Sequence, residues 1–180
     1  MTLTLDLGRW AGPVDDADES VLARCVAPVL DVGCGPGRFV LALAQRGHAA
    51  LGVDITRAAV QLTRGHGVPA LHRDVFDRTP GEGRWPTALL MDGNIGIGGD
   101  PVRLLTRLRT LLRATGQLLV EVHPGPDVDR RGRVRFVPGG PSFPWAEVGL
   151  APLRRDAAGA GYSVGEVWSA AGRSFAVLRP

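Results

Sequence analysis

The chain has 180 residues, enough for one domain with a full core. Its formal net charge is +3, and every fixed positive charge is an arginine. With so much Ala, Gly, Pro and Val, this reads as the coding bias of a GC-rich genome, so the charge argues little for a nucleic-acid partner. No apolar run approaches the roughly 18 residues of a membrane span. The start, MTLTLDLGRW, lacks the basic then apolar pattern of a signal peptide. Cys25 and Cys34 alone make neither a disulfide framework nor a metal site, which fits a reducing, cytoplasmic compartment.

Residues 1–14 carry the turn residues Gly8, Gly12 and Pro13 and one large aromatic, Trp10. Asp15–Cys25 reads as a helix, with Asp15, Asp16, Asp18 and Glu19 where a helix N-terminus favours acids. It is either a lid or a leader helix packed on a sheet. Val29, Leu30 and Val32 form a short apolar run suited to a strand buried on both faces. Gly33, Gly35 and Gly37 follow, and Phe39, Val40, Leu41 and Leu43 open a helix running over Arg38–Gln45 to a Gly47 cap. A strand, a glycine loop and a helix present backbone N–H groups and a helix N-terminus to a polar ligand. The dinucleotide fingerprint needs G-x-G-x-x-G, but Arg38 stands where its last glycine belongs. Asp31 before the loop repels a pyrophosphate and suits a cationic amino group.

Ala49–Val53 reads as the second strand, ending at Asp54 and Ile55 before a helix over Thr56–Arg64 with Thr56 at its N-cap. An acid at this point can accept two ribose hydroxyl hydrogen bonds. Ala70–Arg73 is the third strand, followed by Asp74 and Val75; residues 78–86 are too rich in Pro and Gly for a full helix. Thr87–Met91 is the fourth strand, leading into DGNIGIGGD, where Asp92, Gly93 and Asn94 are candidate ligand contacts; the alternative reading is that the four glycines serve only to turn the chain. Asp100-Pro101 is a cap-and-start pair for a helix whose Leu104, Leu105, Leu108, Leu111 and Leu112 face the core. Gln117–Val122 is the fifth strand, with His123 just beyond it. Residues 124–147 read as an irregular, proline-punctuated loop. Its Arg130, Arg131, Arg133 and Arg135 beside Phe136, Phe143 and Trp145 suit either an anionic acceptor or a solvated surface. Pro152 opens a short helix through Ala158, and Tyr162–Ser169 and Arg173–Leu178 close the chain as a hairpin.

Asp31-x-Gly33-x-Gly35-x-Gly37 resembles the first motif of the class I S-adenosylmethionine-dependent methyltransferases. The resemblance extends over residues 28–180 through the acids in order, the run LLRATGQLLVEV and the closing hairpin; only 124–147 is unmatched. It implies an α/β, Rossmann-like, seven-stranded, mostly parallel sheet with helices on both faces and a C-terminal antiparallel hairpin. The expected organisation is one domain: a leader or lid (1–27), a cofactor-binding core (28–122), an acceptor loop (123–147) and a closing unit (148–180).

S-adenosyl-L-methionine is the implied cofactor, with no metal. Its amino-acid end would lie along Asp31, Gly33, Cys34, Gly35, Gly37 and Arg38, and its ribose on Asp54 beside Ile55. Its adenine would lie on Asp74 and Val75, with Asp92, Gly93 and Asn94 at the transfer site. The last segment lacks the two prolines and the aromatic of enzymes that methylate DNA bases, so a small molecule is the expected acceptor. Acids fall at the ends of four strands, where such sheets bind ligands. His123 is the candidate general base, since an imidazole titrates near neutrality. A cofactor-binding domain without catalysis and a nicotinamide oxidoreductase are the rival readings.

Overall fold

The computed structural model describes residues 10, 12–135 and 140–180; the readings of residues 1–9, Phe136 and Pro138 fall outside these. Nine strands are described: β1 Val29–Val32, β2 Ala50–Asp54, β3 Ala70–His72, β4 Trp85–Leu90, β5 Leu112–Val122, β6 Asp129–Val134, β7 Phe143–Val148, β8 Ser163–Ala170 and β9 Arg173–Arg179. The α-helices are α1 Asp16–Leu22, α2 Arg38–Gln45, α3 Arg57–Gly65, α4 Pro101–Leu111 and α5 Leu150–Gly159, with a 3-10 helix over Asn94–Gly99. Seven strands form one sheet in the order β3-β2-β1-β4-β5-β9-β8. The first five are parallel, and β9 runs antiparallel to both β5 and β8. This is the expected α/β architecture.

Both faces of the sheet are covered, which explains why its central strands are mostly apolar on both sides. On β5, Leu118 and Val120 meet Leu104, Leu105 and Leu108 of α4 and Leu153 of α5. Leu119, between them, faces the other way onto Val21 of α1 and Phe39 and Leu43 of α2. The α4 leucines 104, 105, 108 and 111 are fully buried, each contributing about 1.5–3 kcal/mol relative to exposure. At the start of that helix, the Asp100 side chain accepts from the Arg103 N–H at 3.0 Å, and Pro101 needs no donor partner. The first helix begins with a reciprocal cap: Asp15 accepts from the Asp18 N–H at 2.8 Å, and Asp18 from the Asp15 N–H at 3.1 Å.

Three elements differ from the sequence reading. Thr56 does occupy the N-cap of α3, but its side chain makes no cap bond. Asp54 takes that role instead, accepting from the Thr56 N–H at 2.7 Å. Strand β5 starts at Leu112, directly after α4, rather than at Gln117. The segment read as an irregular loop contains β6 and β7, a separate antiparallel ribbon. Proline disfavours a central strand, but both strands of a two-stranded ribbon are edges, and Pro144 sits in β7 without breaking it.

Candidate functional site

A crevice opens beyond the carboxyl ends of β1, β2, β3 and β4, where strand order reverses between β1 and β4. This is the ligand position of an open α/β sheet. The glycine loop forms its floor. An added Cβ on Gly33 would stand 2.6 Å from the Asn94 amide nitrogen, and one on Gly37 would stand 2.5 Å from Thr63; both glycines also have positive φ. Gly35 is different: it lines the crevice, and a Cβ there would meet nothing within 4 Å. A side chain at this position would project into open space that a ligand needs.

The loop is also held by its own backbone more than the sequence reading supposed. The Gly33 and Cys34 N–H groups donate to the Val53 carbonyl, Gly37 to the Cys34 carbonyl, and Gly35 to the Asp54 carboxylate at 2.9 Å. These donors shape the loop. Cys34 lines the crevice, but burial pushes its thiol well above the usual range, so it is a packing residue and not a thiolate nucleophile.

Asp31, Asp54, Asp74 and Asp92 all line the crevice, as do Ile55 and Val75. Asp31 is 2% exposed, and burial reinforced by the Asp92 charge pushes its carboxyl up to about 7. Asp54 bridges Gly35 and Thr56 with its two oxygens. Asp74 accepts from the Phe76 N–H at 3.0 Å and so fixes the turn after β3. Asp92 has φ of 54°, an unusual backbone state for a residue with a side chain. Its own N–H donates to Glu121 at 2.6 Å, and Arg38 donates to its carboxylate at 2.9 and 3.0 Å. Burial raises the Asp92 carboxyl, against the pull of Arg38.

Arg38 also lines the crevice, yet it is 8% exposed and pairs with both Asp18 and Asp92. Asn94 donates from its amide nitrogen to the Val32 and Gly33 carbonyls, both at 2.9 Å, and thereby ties the 3-10 helix to the glycine loop. Gly93 does not appear among the lining residues; with φ of 80° it makes the turn into that helix. His123 is likewise outside the lining. Its ring Nδ1 accepts from the Gly125 N–H at 2.9 Å, so it organises the turn after β5 and is not brought to the other candidates.

The outer wall of the crevice comes from the ribbon. Phe143, Pro144 and Trp145 line it, joined by Ile97 of the 3-10 helix and by Trp10. The glycines of DGNIGIGGD explain the fit: a Cβ on Gly96 would lie 2.0 Å from the Ala146 carbonyl oxygen, and one on Gly99 would lie 3.1 Å from Pro144. They serve close approach as well as turning.

Residues 29–116 match the model of the methyltransferase domain family. Over that stretch, which holds the glycine loop and the ends of the first four strands, the chain is similar to methyltransferase domains. A methyltransferase of Bacteroides fragilis solved with S-adenosylhomocysteine superposes with a TM-score of 0.74 at 23% identity, covering 94% of this chain and 78% of that one. The 1,6-didemethyltoxoflavin-N1-methyltransferase of Burkholderia thailandensis, solved with 1,6-didemethyltoxoflavin and S-adenosylhomocysteine, gives 0.62 at 20% identity over 84% of this chain and 69% of that one. A 2-heptyl-1-hydroxyquinolin-4(1H)-one methyltransferase of Mycobacteroides abscessus is 50% identical over 38 residues, which is 21% of this chain and only 17% of that relative.

The crevice suits S-adenosylmethionine on its own chemistry. A buried, destabilised Asp31 is relieved by a cationic amino group, and an open Gly35 leaves room beside it. The same acids oppose the phosphates of a dinucleotide. Sequence reasoning missed Arg173 and Glu121. Arg173 donates to Glu121 at 2.7 and 2.9 Å and to Asp18 at 2.7 Å, and lies 3.5 Å from Asp92. Burial works against its charge, but the Glu121 and Asp18 carboxylates outweigh it and hold the guanidinium protonated. With Arg38 it forms a buried ionic network binding α1 to the floor of the site. Both residues fall in strands that look merely structural, so no local signal marked them.

Proposed function

We propose that the protein transfers a methyl group from S-adenosylmethionine to a small-molecule acceptor. The observation that carries this reading is the convergence of four strand-end acids and an open glycine on one crevice, within a chain whose residues 29–116 match the methyltransferase domain. Two relatives named for small-molecule acceptors support the acceptor class. When bound, the cofactor supplies a methyl on a positively charged sulfur, which an acceptor lone pair can take as the carbon–sulfur electrons stay on sulfur.

The chain's own residues bind and align. Asp31 faces the amino group, and Asp54, already oriented by Gly35 and Thr56, keeps acceptor capacity for the ribose hydroxyls. Asp74, Val75 and Ile55, which all line the crevice, would hold the adenine. Gly33, Gly37 and Cys34 shape the loop, and Arg38, Asp92, Gly93 and Asn94 hold its far side. Positioning of reactants can account for about 7–11 kcal/mol of a barrier, so an activated methyl needs little else.

Calorimetric titration with S-adenosylhomocysteine, beside NADH, is the test. Binding of the former alone is expected, followed by incorporation of labelled methyl in an acceptor screen. NADH binding alone would overturn the reading, and cofactor binding without transfer to any acceptor would leave a binding domain. His123→Ala is expected to retain turnover, given where the ring lies; a large loss at unchanged cofactor affinity would restore it as base.

A further inference from the structure

Resting on the methyltransferase reading, we propose that the acceptor is a flat, uncharged aromatic molecule, held against the wall made by Phe143, Pro144, Trp145, Ile97 and Trp10. These residues line the crevice, and none of them carries a charge. Aromatic side chains contribute most against another ring, where stacking adds about 0.5–1.5 kcal/mol per pair beyond burial. The wall is also rigid. Trp145 is 5% exposed and packs with Val134, Ile97 and Phe143, and Gly96 and Gly99 let β7 lie directly on the 3-10 helix. A preformed apolar slot of this kind selects a planar ligand without having to order itself first.

Charge points the same way. Three arginines of the ribbon are engaged within it and with α5. Arg130 pairs with Glu147, Arg131 with Asp129 and Asp156, and Arg133 donates to Ser142. Arg38 is held between Asp18 and Asp92. A carboxylate or phosphate in the slot would share the crevice with four acids, Asp31, Asp54, Asp74 and Asp92, against one further arginine, Arg73, which donates to the Arg78 carbonyl. Like charges in a partly desolvated crevice repel, so an anion is selected against.

The test is calorimetric titration of the protein saturated with S-adenosylhomocysteine, using 4-hydroxyquinoline and its near-isosteric anion quinoline-4-carboxylate. The neutral ring is expected to bind at least tenfold more tightly. Phe143→Ala should weaken it about tenfold while changing S-adenosylhomocysteine affinity less than twofold. Trp145→Leu is the second variant, and its retained S-adenosylhomocysteine affinity certifies the fold. Equal or tighter binding of the carboxylate overturns the proposal, as does neutral-ring affinity unaffected by both variants or no binding of the neutral ring to the loaded protein. Failure to load S-adenosylhomocysteine at all is a separate result, and it removes the functional reading beneath.

Discussion

Asp31 shows how a single residue can favour ligand binding over stability. Its folded carboxyl titrates at about 7 against an ordinary 3.8, so the folded protein holds a proton that the unfolded chain has lost. Stability therefore falls as pH rises from about 4 to about 7 and is then level, the reverse of a salt-bridged acid. Asp31→Asn removes the charge at nearly constant shape. At about 1.4 kcal/mol per pH unit over this window, it should stabilise the unliganded protein by up to roughly 4 kcal/mol above pH 7 and by nothing near pH 4. Urea unfolding at the two pH values measures this, and equal stability of variant and parent at pH 8 would refute it. The same substitution should weaken S-adenosylhomocysteine binding. Asp54→Ala should also weaken it, by about 1–3 kcal/mol, because the Gly35 and Thr56 N–H groups lose their acceptor along with the ribose. Unchanged calorimetric affinity would remove Asp54 from the site.

At the scale of elements, the ribbon and the 3-10 helix form one unit. Neither has a local signal for that pairing: DGNIGIGGD reads as ligand contacts with glycines that turn the chain, and the prolines of 124–147 read as irregularity. Their reason is visible only when β7 lies across Gly96 and Gly99. Gly96→Ala would place a methyl 2.0 Å from a backbone oxygen that cannot rotate away, so the ribbon must shift. A loss of about 1–3 kcal/mol by urea unfolding is expected, as for other overpacking substitutions. Arg130→Ala makes the opposite case. Its pair with Glu147 is solvent-exposed, so stability should change by less than about 1 kcal/mol, and a larger loss would show that the pair anchors the ribbon.

Across the whole molecule, Arg173 joins parts of the chain that no local window connects. It reaches Asp18, 155 positions away, and Glu121, 52 away, while Arg38 closes the circuit through Asp18 and Asp92. The first helix, the last strand and the floor of the site thus share one buried set of charges. Arg173→Met should destabilise the protein by about 3–5 kcal/mol, because buried carboxylates are left without their cation. Thermal and urea unfolding together check it, and a neutral result would mean that water replaces the guanidinium.

The element order of the seven-stranded sheet, its two covered faces and the acids at four strand ends were legible in the chain alone. Hydrophobic period, cap residues and glycine spacing are local properties, and strand ends in a parallel sheet meet on one edge wherever else the chain goes. The ionic partners of Arg38, the raised carboxyl of Asp31, the bond from Gly125 to His123 and the use of the 93–99 glycines were not legible. Each depends on which distant side chain or backbone is pressed against it. Packing between remote segments decides that, and a one-dimensional pattern carries no record of it.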